Sequence, residues 1–78
     1  MNNSLRIGAV QRDILRSLRA GAKLYRSESV WWLVSVSKMR YWPNRRSCRG
    51  LETRGLIRVG VWSEDGYEIT ELGEKALG

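Results

Sequence analysis

Three arginines near the middle of the chain have the type and spacing needed to bind a polyanion. Arg45 and Arg49 are four positions apart and Arg46 lies between them, so on a helix their guanidinium groups project from one side. Guanidinium groups bind phosphates and guanine edges with paired hydrogen bonds. The polar neighbours that could add hydrogen bonds are Asn44, Ser47 and Thr53. We therefore expect this segment to contact nucleic acid rather than to form only a solvated basic face.

The distribution of charge supports the same expectation. The formal net charge is +6, and 11 of the 14 basic residues are arginine. Residues 1–63 hold 13 of these basic residues and only three of the eight acidic ones, whereas residues 64–78 hold the other five acids. A basic body with an acidic end predicts that the first part of the chain binds a polyanion.

The composition argues against several other kinds of site. The chain has one cysteine, Cys48, and no histidine, so it offers no intrachain disulfide, no zinc site and no histidine-based nucleophilic pair. We expect no cofactor, no metal and no enzymatic activity. The longest apolar run, residues 30–34, is too short to cross a bilayer, and the N-terminus lacks the apolar segment of a signal peptide. These features predict a cytoplasmic protein in a reducing compartment.

The elements that would position the arginines form one domain over residues 1–78. A first helix is predicted over residues 5–20, because its apolar residues recur at steps of three and four, and Gly21 is placed to end it. Ser27 could then begin a second helix from about Glu28 to Val36. Residues 31–37 also alternate as a strand would, so a strand remains the alternative.

If residues 28–36 are helical, Trp31 and Trp32 cannot both point inward. One of the two should then lie at the surface, where it could serve a homodimer or a protein partner. These two tryptophans are therefore the candidate protein interface, although a tryptophan in so short a chain ordinarily belongs to the core.

The arginines themselves fall on a third predicted helix, from Pro43 to Arg54, with Gly55 as its stop. Cys48 and Leu51 would face the core. The connection before this helix, residues 37–42, should place Lys38, Arg40 and Tyr41 near a nucleic-acid backbone, while Met39 and Trp42 fill the core.

The last third of the chain predicts a β-hairpin and a short helix. Residues 56–62 and 67–70 alternate as strands and are joined by turn-forming residues, and Thr70 can cap a helix over residues 71–77. Glu64 and Asp65 make the hairpin tip acidic, so little insertion into a minor groove is expected. Arg58, at the base of the hairpin, is the better contact.

Two segments resemble a known family. Residues 51–57, Leu-Glu-Thr-Arg-Gly-Leu-Ile, look like the end of the recognition helix in winged helix-turn-helix domains, and residues 67–73, Tyr-Glu-Ile-Thr-Glu-Leu-Gly, are similar to the stretch that leaves their wing. The resemblance implies an α+β, mainly α fold: a three-helix core, a two-stranded wing and a short C-terminal helix. It also implies a small bacterial or phage-type transcription regulator that binds double-stranded DNA with residues 43–54 in the major groove.

Two departures from that family keep alternatives open. Residues 38–42 replace the usual small, glycine-containing turn, and the wing tip is acidic instead of basic. A winged helix that binds a protein, as an inhibitor or adaptor does, is the first alternative. RNA binding by the same basic face is the second.

Overall fold

The computed structural model describes residues 6–60 and 66–78. Along the chain the elements are α1 (Ala9–Arg19), β1 (Lys23–Ser27), β2 (Val30–Val34), β3 (Arg40–Tyr41), α2 (Arg45–Thr53), β4 (Ile57–Val59), β5 (Tyr67–Ile69) and α3 (Glu71–Leu77). Trp62 and the expected hairpin tip at Glu64 and Asp65 lie outside the described residues.

The described strands form one antiparallel sheet in the order β3-β2-β1-β5-β4. Its centre is held by the pairing of Leu24 with Leu33 on one side and with Tyr67 on the other. Every buried strand residue has its side chain on the same face, since successive side chains alternate. These residues are Leu24, Trp31, Leu33, Ile57 and Tyr67. The described helices contact the sheet and supply the rest of that core, so they cover one face only.

The winged helix-turn-helix architecture expected from the sequence is wrong. Residues 28–36 are not a helix: Glu28 and Ser29 form a two-residue turn, and β2 returns along β1 over five paired positions, from Lys23↔Val34 to Ser27↔Val30. The chain thus has three described helices with a five-stranded sheet, instead of a helical core with a two-stranded wing. Strand pairing prevails here because alternation buries Trp31 and Leu33 together, which a helix over these residues would not do.

The other predicted helices are present, but α1 begins at Ala9 instead of residue 5, and α2 begins at Arg45 instead of Pro43. The glycines after α1 and α2 and the cap of α3 have the expected chemistry. α1 buries Ile14, Leu15 and Leu18 and is followed by Gly21 with a φ of 107°. α2 is followed by Gly55, whose φ of 75° is the left-handed conformation that favours glycine. α3 begins as expected, with the Thr70 hydroxyl accepting a hydrogen bond of 3.1 Å from the Gly73 amide.

The two segments that carried the family resemblance contact each other. The Thr70 hydroxyl donates to the Gly55 carbonyl at 2.7 Å, and the Thr70 amide donates to the Leu56 carbonyl at 3.0 Å. Gly73 lies so close to the Leu56 carbonyl that a Cβ at this position would sit 2.3 Å from that oxygen. The end of α2 and the start of α3 are therefore held together by groups from both segments.

The prediction that Met39 and Trp42 fill the core is also wrong. Both side chains are exposed, and the relative solvent exposure of Trp42 is 65%. Met39 lies in the turn between β2 and β3, and Trp42 directly follows β3, which is an edge strand of the sheet. Trp42 lines an apolar groove of about 590 Å³ between α1 and this hairpin, with Val10, Leu33, Tyr41 and Pro43. The core is filled instead by Trp31 and by Tyr67, whose rings lie 5.0 Å apart.

Candidate nucleic-acid interface

α2 presents the expected arginines on its outer face. Cys48 and Leu51 are completely buried on its inner side, and burial raises the pKa of the Cys48 thiol to about 11. Arg45, Arg49 and Thr53 recur every four residues on the opposite side, and all three are exposed. The packing of two small and medium-sized apolar residues thus fixes which way the arginines point.

The outer face of α2 is concave and rich in guanidinium groups. Residues of α2 and its C-cap line an open concavity of about 430 Å³: Arg45, Arg46, Arg49, Gly50, Thr53 and Arg54. Within the described ranges, no hydrogen bond or ion pair engages the side chains of Arg45, Arg46 or Arg49. Their positive charge is therefore available to an anionic ligand.

A second concavity, of about 290 Å³, adjoins the first along Arg45 and Arg49. The β1–β2 hairpin supplies its other wall, which includes Arg26, Glu28, Ser29 and Trp31. Arg26 is held in place by two contacts: its Nη1 lies 3.6 Å from Glu52 Oε1, and its guanidinium carbon lies 5.5 Å from the centroid of the Trp31 ring. The hairpin therefore brings another arginine to the α2 face.

Glu52 links this hairpin to the rest of the domain. Besides its ion pair with Arg26, its Oε2 accepts a hydrogen bond of 2.6 Å from the Tyr67 hydroxyl. Burial of the phenol and this contact with a carboxylate raise the pKa of Tyr67 to about 12. Glu52 thus joins α2, β1 and β5, and it neutralises part of the positive charge of Arg26.

Two residues predicted to contact nucleic acid also have structural roles. The Asn44 side chain caps α2 by accepting a hydrogen bond of 2.8 Å from the Ser47 amide. The Ser47 carbonyl accepts from Gln11 Nε2 of α1 at 3.3 Å, and Ser47 is half-buried. Their main contribution is to fix the start of α2 against α1.

The structure places the remaining predicted contacts away from the α2 face. Arg40 pairs with Val34, and Arg58 pairs with Glu68, so both lie on the sheet face opposite the helices. Arg58 also forms a 3.0 Å ion pair with Glu68. Lys38 lies in the β2–β3 turn with a φ of 72°, and Tyr41 faces the apolar groove beside α1. None of these four residues lines either concavity.

The tryptophan pair divides between core and surface. Trp31 is 3% exposed and belongs to the core, so it offers no interface to a partner. Trp32 is half-buried on the opposite face of β2, where its ring stacks on Tyr25. Only Trp32 therefore remains as a candidate contact residue.

Sequence reasoning missed Arg26 and Arg54 at this site. Arg54 was assigned only to the end of the predicted helix, yet it lines the first concavity. Arg26 lies between the first two predicted helices, residues 5–20 and 28–36, in a segment to which no role is assigned from the sequence. The alternation of residues 23–34, interrupted at Glu28-Ser29, was the signal that would have revealed a hairpin and carried Arg26 to α2.

No group of three or more metal-binding side chains occurs within residues 6–60 and 66–78. Over the same ranges, the structure has no helix with the length and apolar character required to span a membrane. No protein-family model, curated protein or solved structure matches this chain.

Proposed function

We propose that this protein binds double-stranded DNA through the outer face of α2 and acts as a small transcription regulator by occupying its site. The observation that carries the proposal is the cluster of Arg45, Arg46 and Arg49 on the outer face of α2. None of the three has an acidic partner among the described residues. The burial of Cys48 and Leu51 on the inner side of α2 keeps this face turned toward the solvent. A helix of this kind fits the major groove, which is about 12 Å wide and deep enough to admit one.

The positions of the arginines suggest two kinds of DNA contact, one to base edges and one to phosphates. Arg45 and Arg49 lie along the centre of the face and are placed to read base edges, to which arginine donates paired hydrogen bonds. Arg26 and Arg46 flank them, where phosphate contacts would set the position of the helix on the duplex. Thr53 can donate a further hydrogen bond to either.

A salt titration tests the proposal. The purified protein should bind a random-sequence duplex, and with three to five phosphate contacts the slope of log K against log salt concentration should be about −3 to −5. A site selected from a random pool should bind more tightly than a scrambled duplex of the same length. Equal affinity for both duplexes would contradict specific recognition.

The same titration separates the rival functions. Stronger binding to an RNA duplex than to DNA would favour RNA recognition by this face. No binding to either at low salt would favour a protein partner, as an inhibitor or adaptor would have. We also propose a cytoplasmic location, since the activity requires access to DNA and the single thiol suits a reducing compartment.

A further inference from the structure

The face of the sheet opposite the helices carries a pair of stacked aromatic rings. We call it the outer sheet face and define it by the residues that the strand register places there: Lys23, Tyr25, Val30, Trp32, Val34, Arg40, Arg58 and Glu68. No helix of the described chain packs on it, because all the buried strand residues point the other way. Val30, at 51% exposure, illustrates how open this face is.

Tyr25 and Trp32 are directly opposite each other on β1 and β2. Their ring centroids are 5.7 Å apart and their planes are within 24° of parallel, which is an offset stack. Both side chains are only half-buried. Each ring turns one face toward the other, and Gly66 lies against Tyr25, so that a Cβ at position 66 would sit 2.9 Å from the Tyr25 ring. Trp32, near the middle of the sheet, is therefore the ring of the pair that a further flat group could stack on.

The charge around the rings is mainly positive. Arg40 is exposed on β3, and it has no acidic partner in the described part of the chain. Of the other described residues of this face, Arg58 and Glu68 form an ion pair, so their charges largely cancel, and Lys23 is a further basic residue. A second copy of the chain docked face to face would bring these like charges together, whereas a polyanion would be attracted.

We propose that the outer sheet face binds single-stranded nucleic acid, with a base stacked on Trp32, which Tyr25 supports from its other side, and with Arg40 against the phosphates. Flat aromatic side chains beside cations are the combination that holds unpaired strands, because every base has a face to stack and every nucleotide carries a charge. Paired bases in a duplex do not expose those faces. This site goes beyond the proposed duplex binding, and it lies on the other side of the sheet from α2.

Binding of short labelled oligonucleotides by the full chain tests this inference. We expect oligo-dT and oligo-U of about 12 nucleotides, a length of the order that one small domain covers, to bind at low salt. Comparison of the two arms identifies DNA or RNA as the preferred strand. An abasic strand of equal length should bind at least about 10-fold more weakly, because it retains phosphates but has no bases to stack.

Substitutions then locate the site. Trp32→Ala should weaken oligonucleotide binding about 10-fold or more, and Arg40→Glu about 5-fold or more. Trp42→Ala is the matched control, since Trp42 is exposed in the groove beside α1 and should leave binding unchanged. If Trp32→Ala fails to fold, Arg40→Glu decides, because Arg40 lies exposed on an edge strand.

The results that would overturn the inference differ from those that would overturn the proposed function. Absence of oligonucleotide binding, equal binding of the abasic strand, or wild-type affinity in folded Trp32→Ala each rejects the outer sheet face as the site. Loss of single-strand binding in the double variant Arg45→Ala/Arg49→Ala also rejects it, since single-stranded and duplex nucleic acid would then bind to the same face of α2. Duplex binding by α2 would stand in all of these cases.

Discussion

The Tyr67 hydroxyl donates a hydrogen bond of 2.6 Å to Glu52 Oε2, and this contact joins β5 to α2 beneath the arginine-rich face. The same carboxylate holds Arg26, whose guanidinium lies over Trp31. Glu52 thereby connects the core to the wall of the candidate interface. A change at either partner should affect both the stability of the domain and the position of Arg26.

Replacement of Tyr67 by phenylalanine should lower the free energy of unfolding by about 1–3 kcal/mol, because a hydrogen bond to a charged group is lost while the ring still packs. Urea denaturation of the two proteins at neutral pH measures this difference. Tyr41→Phe is the control, since the Tyr41 hydroxyl is exposed and its described contact is a long one, 3.9 Å to the Met39 sulfur. Equal losses in the two variants would contradict the structural role of the Tyr67–Glu52 contact.

The same pair predicts how stability changes in alkali. The pKa of Tyr67 is about 12 in the folded protein, above its ordinary value of 10.0, so the neutral phenol is the form that folding favours. The stabilisation is complete below about pH 10 and is lost as the pH rises toward about 12. Unfolding free energy should therefore fall more steeply over this interval in the wild type than in Tyr67→Phe. Parallel pH profiles for the two proteins would contradict the raised pKa.

Gly73 provides a test of the contact between the two segments that carried the family resemblance, residues 51–57 and 67–73. In an ordinary helix, alanine at a glycine position stabilises by about 1 kcal/mol. Here a Cβ would meet the Leu56 carbonyl at 2.3 Å and Ile69 at 2.8 Å, so Gly73→Ala should destabilise by about 1–3 kcal/mol. Thermal unfolding measures the change.

Gly50→Ala is the matched control for that experiment. Gly50 is also within a helix, but its Cβ would meet the flexible end of Gln11, whose amide can move aside. We expect this variant to be neutral or slightly more stable than the wild type. A stabilised Gly73→Ala protein would mean that α3 does not approach Leu56 as closely as the structure shows.

The parts of the fold that were predictable are those specified by local chemistry. α1 and α2 are defined by apolar periodicity and by glycines with positive φ, and α3 by its threonine cap. The β2 strand was not predictable, because Val30, Leu33 and Val34 have a spacing that suits a helix face as well as a strand. What decides between them is the pairing of Leu24 with Leu33 and Tyr67, a long-range interaction that no local pattern contains.

The candidate site shows the same limit. Arg45, Arg46 and Arg49 could be grouped from spacing alone, because they belong to one helix. The position of Arg40 depends on which face of the sheet its register selects, and that of Arg26 on a hairpin whose turn, Glu28-Ser29, lacks the usual glycine or asparagine. Arg26 and Arg40, whose positions depend on strand pairing, were therefore missed and misplaced, respectively.

Substitution of the turn residue Glu28 should improve two properties, the stability of the protein and its affinity for duplex DNA. Its φ of 57° is left-handed, a conformation that costs a non-glycine residue about 1–2 kcal/mol, so Glu28→Gly should raise the unfolding free energy by about 0.5–1 kcal/mol. Its carboxylate also borders the concavity that contains Arg26, Arg45 and Arg49, so its removal should tighten duplex binding. Glu28→Gln separates the effects: affinity should rise without the gain in stability. A Gln variant with unchanged affinity would place Glu28 outside the electrostatic reach of the interface.

Trp31→Ala should unfold the protein. The side chain is 3% exposed and packs on Tyr67 and under Arg26, and loss of a buried tryptophan costs roughly 3–5 kcal/mol, close to the whole stability of a small domain. Circular dichroism and denaturant titration check this. Trp42→Ala is the control, and it should remain folded because its side chain is exposed. A cooperatively folded Trp31→Ala protein would contradict the assignment of Trp31 to the core.

Loss of the α2 arginines should weaken duplex DNA binding more than loss of an equal charge elsewhere on the protein. Arg45→Ala and Arg49→Ala should each weaken binding to a selected site by about 1–3 kcal/mol and reduce discrimination against a scrambled duplex. The double variant Arg12→Ala/Arg16→Ala is the charge-matched control, since both residues are exposed on α1 and neither lines the concavities at α2. It should lower affinity slightly and equally for both duplexes, through the general field alone. Anisotropy titrations of this control and of the double variant Arg45→Ala/Arg49→Ala, which removes the same two charges, complete the comparison on both duplexes. If the two double variants lose the same affinity for both duplexes, the protein binds DNA non-specifically through its net positive charge, and α2 has no special role in recognition.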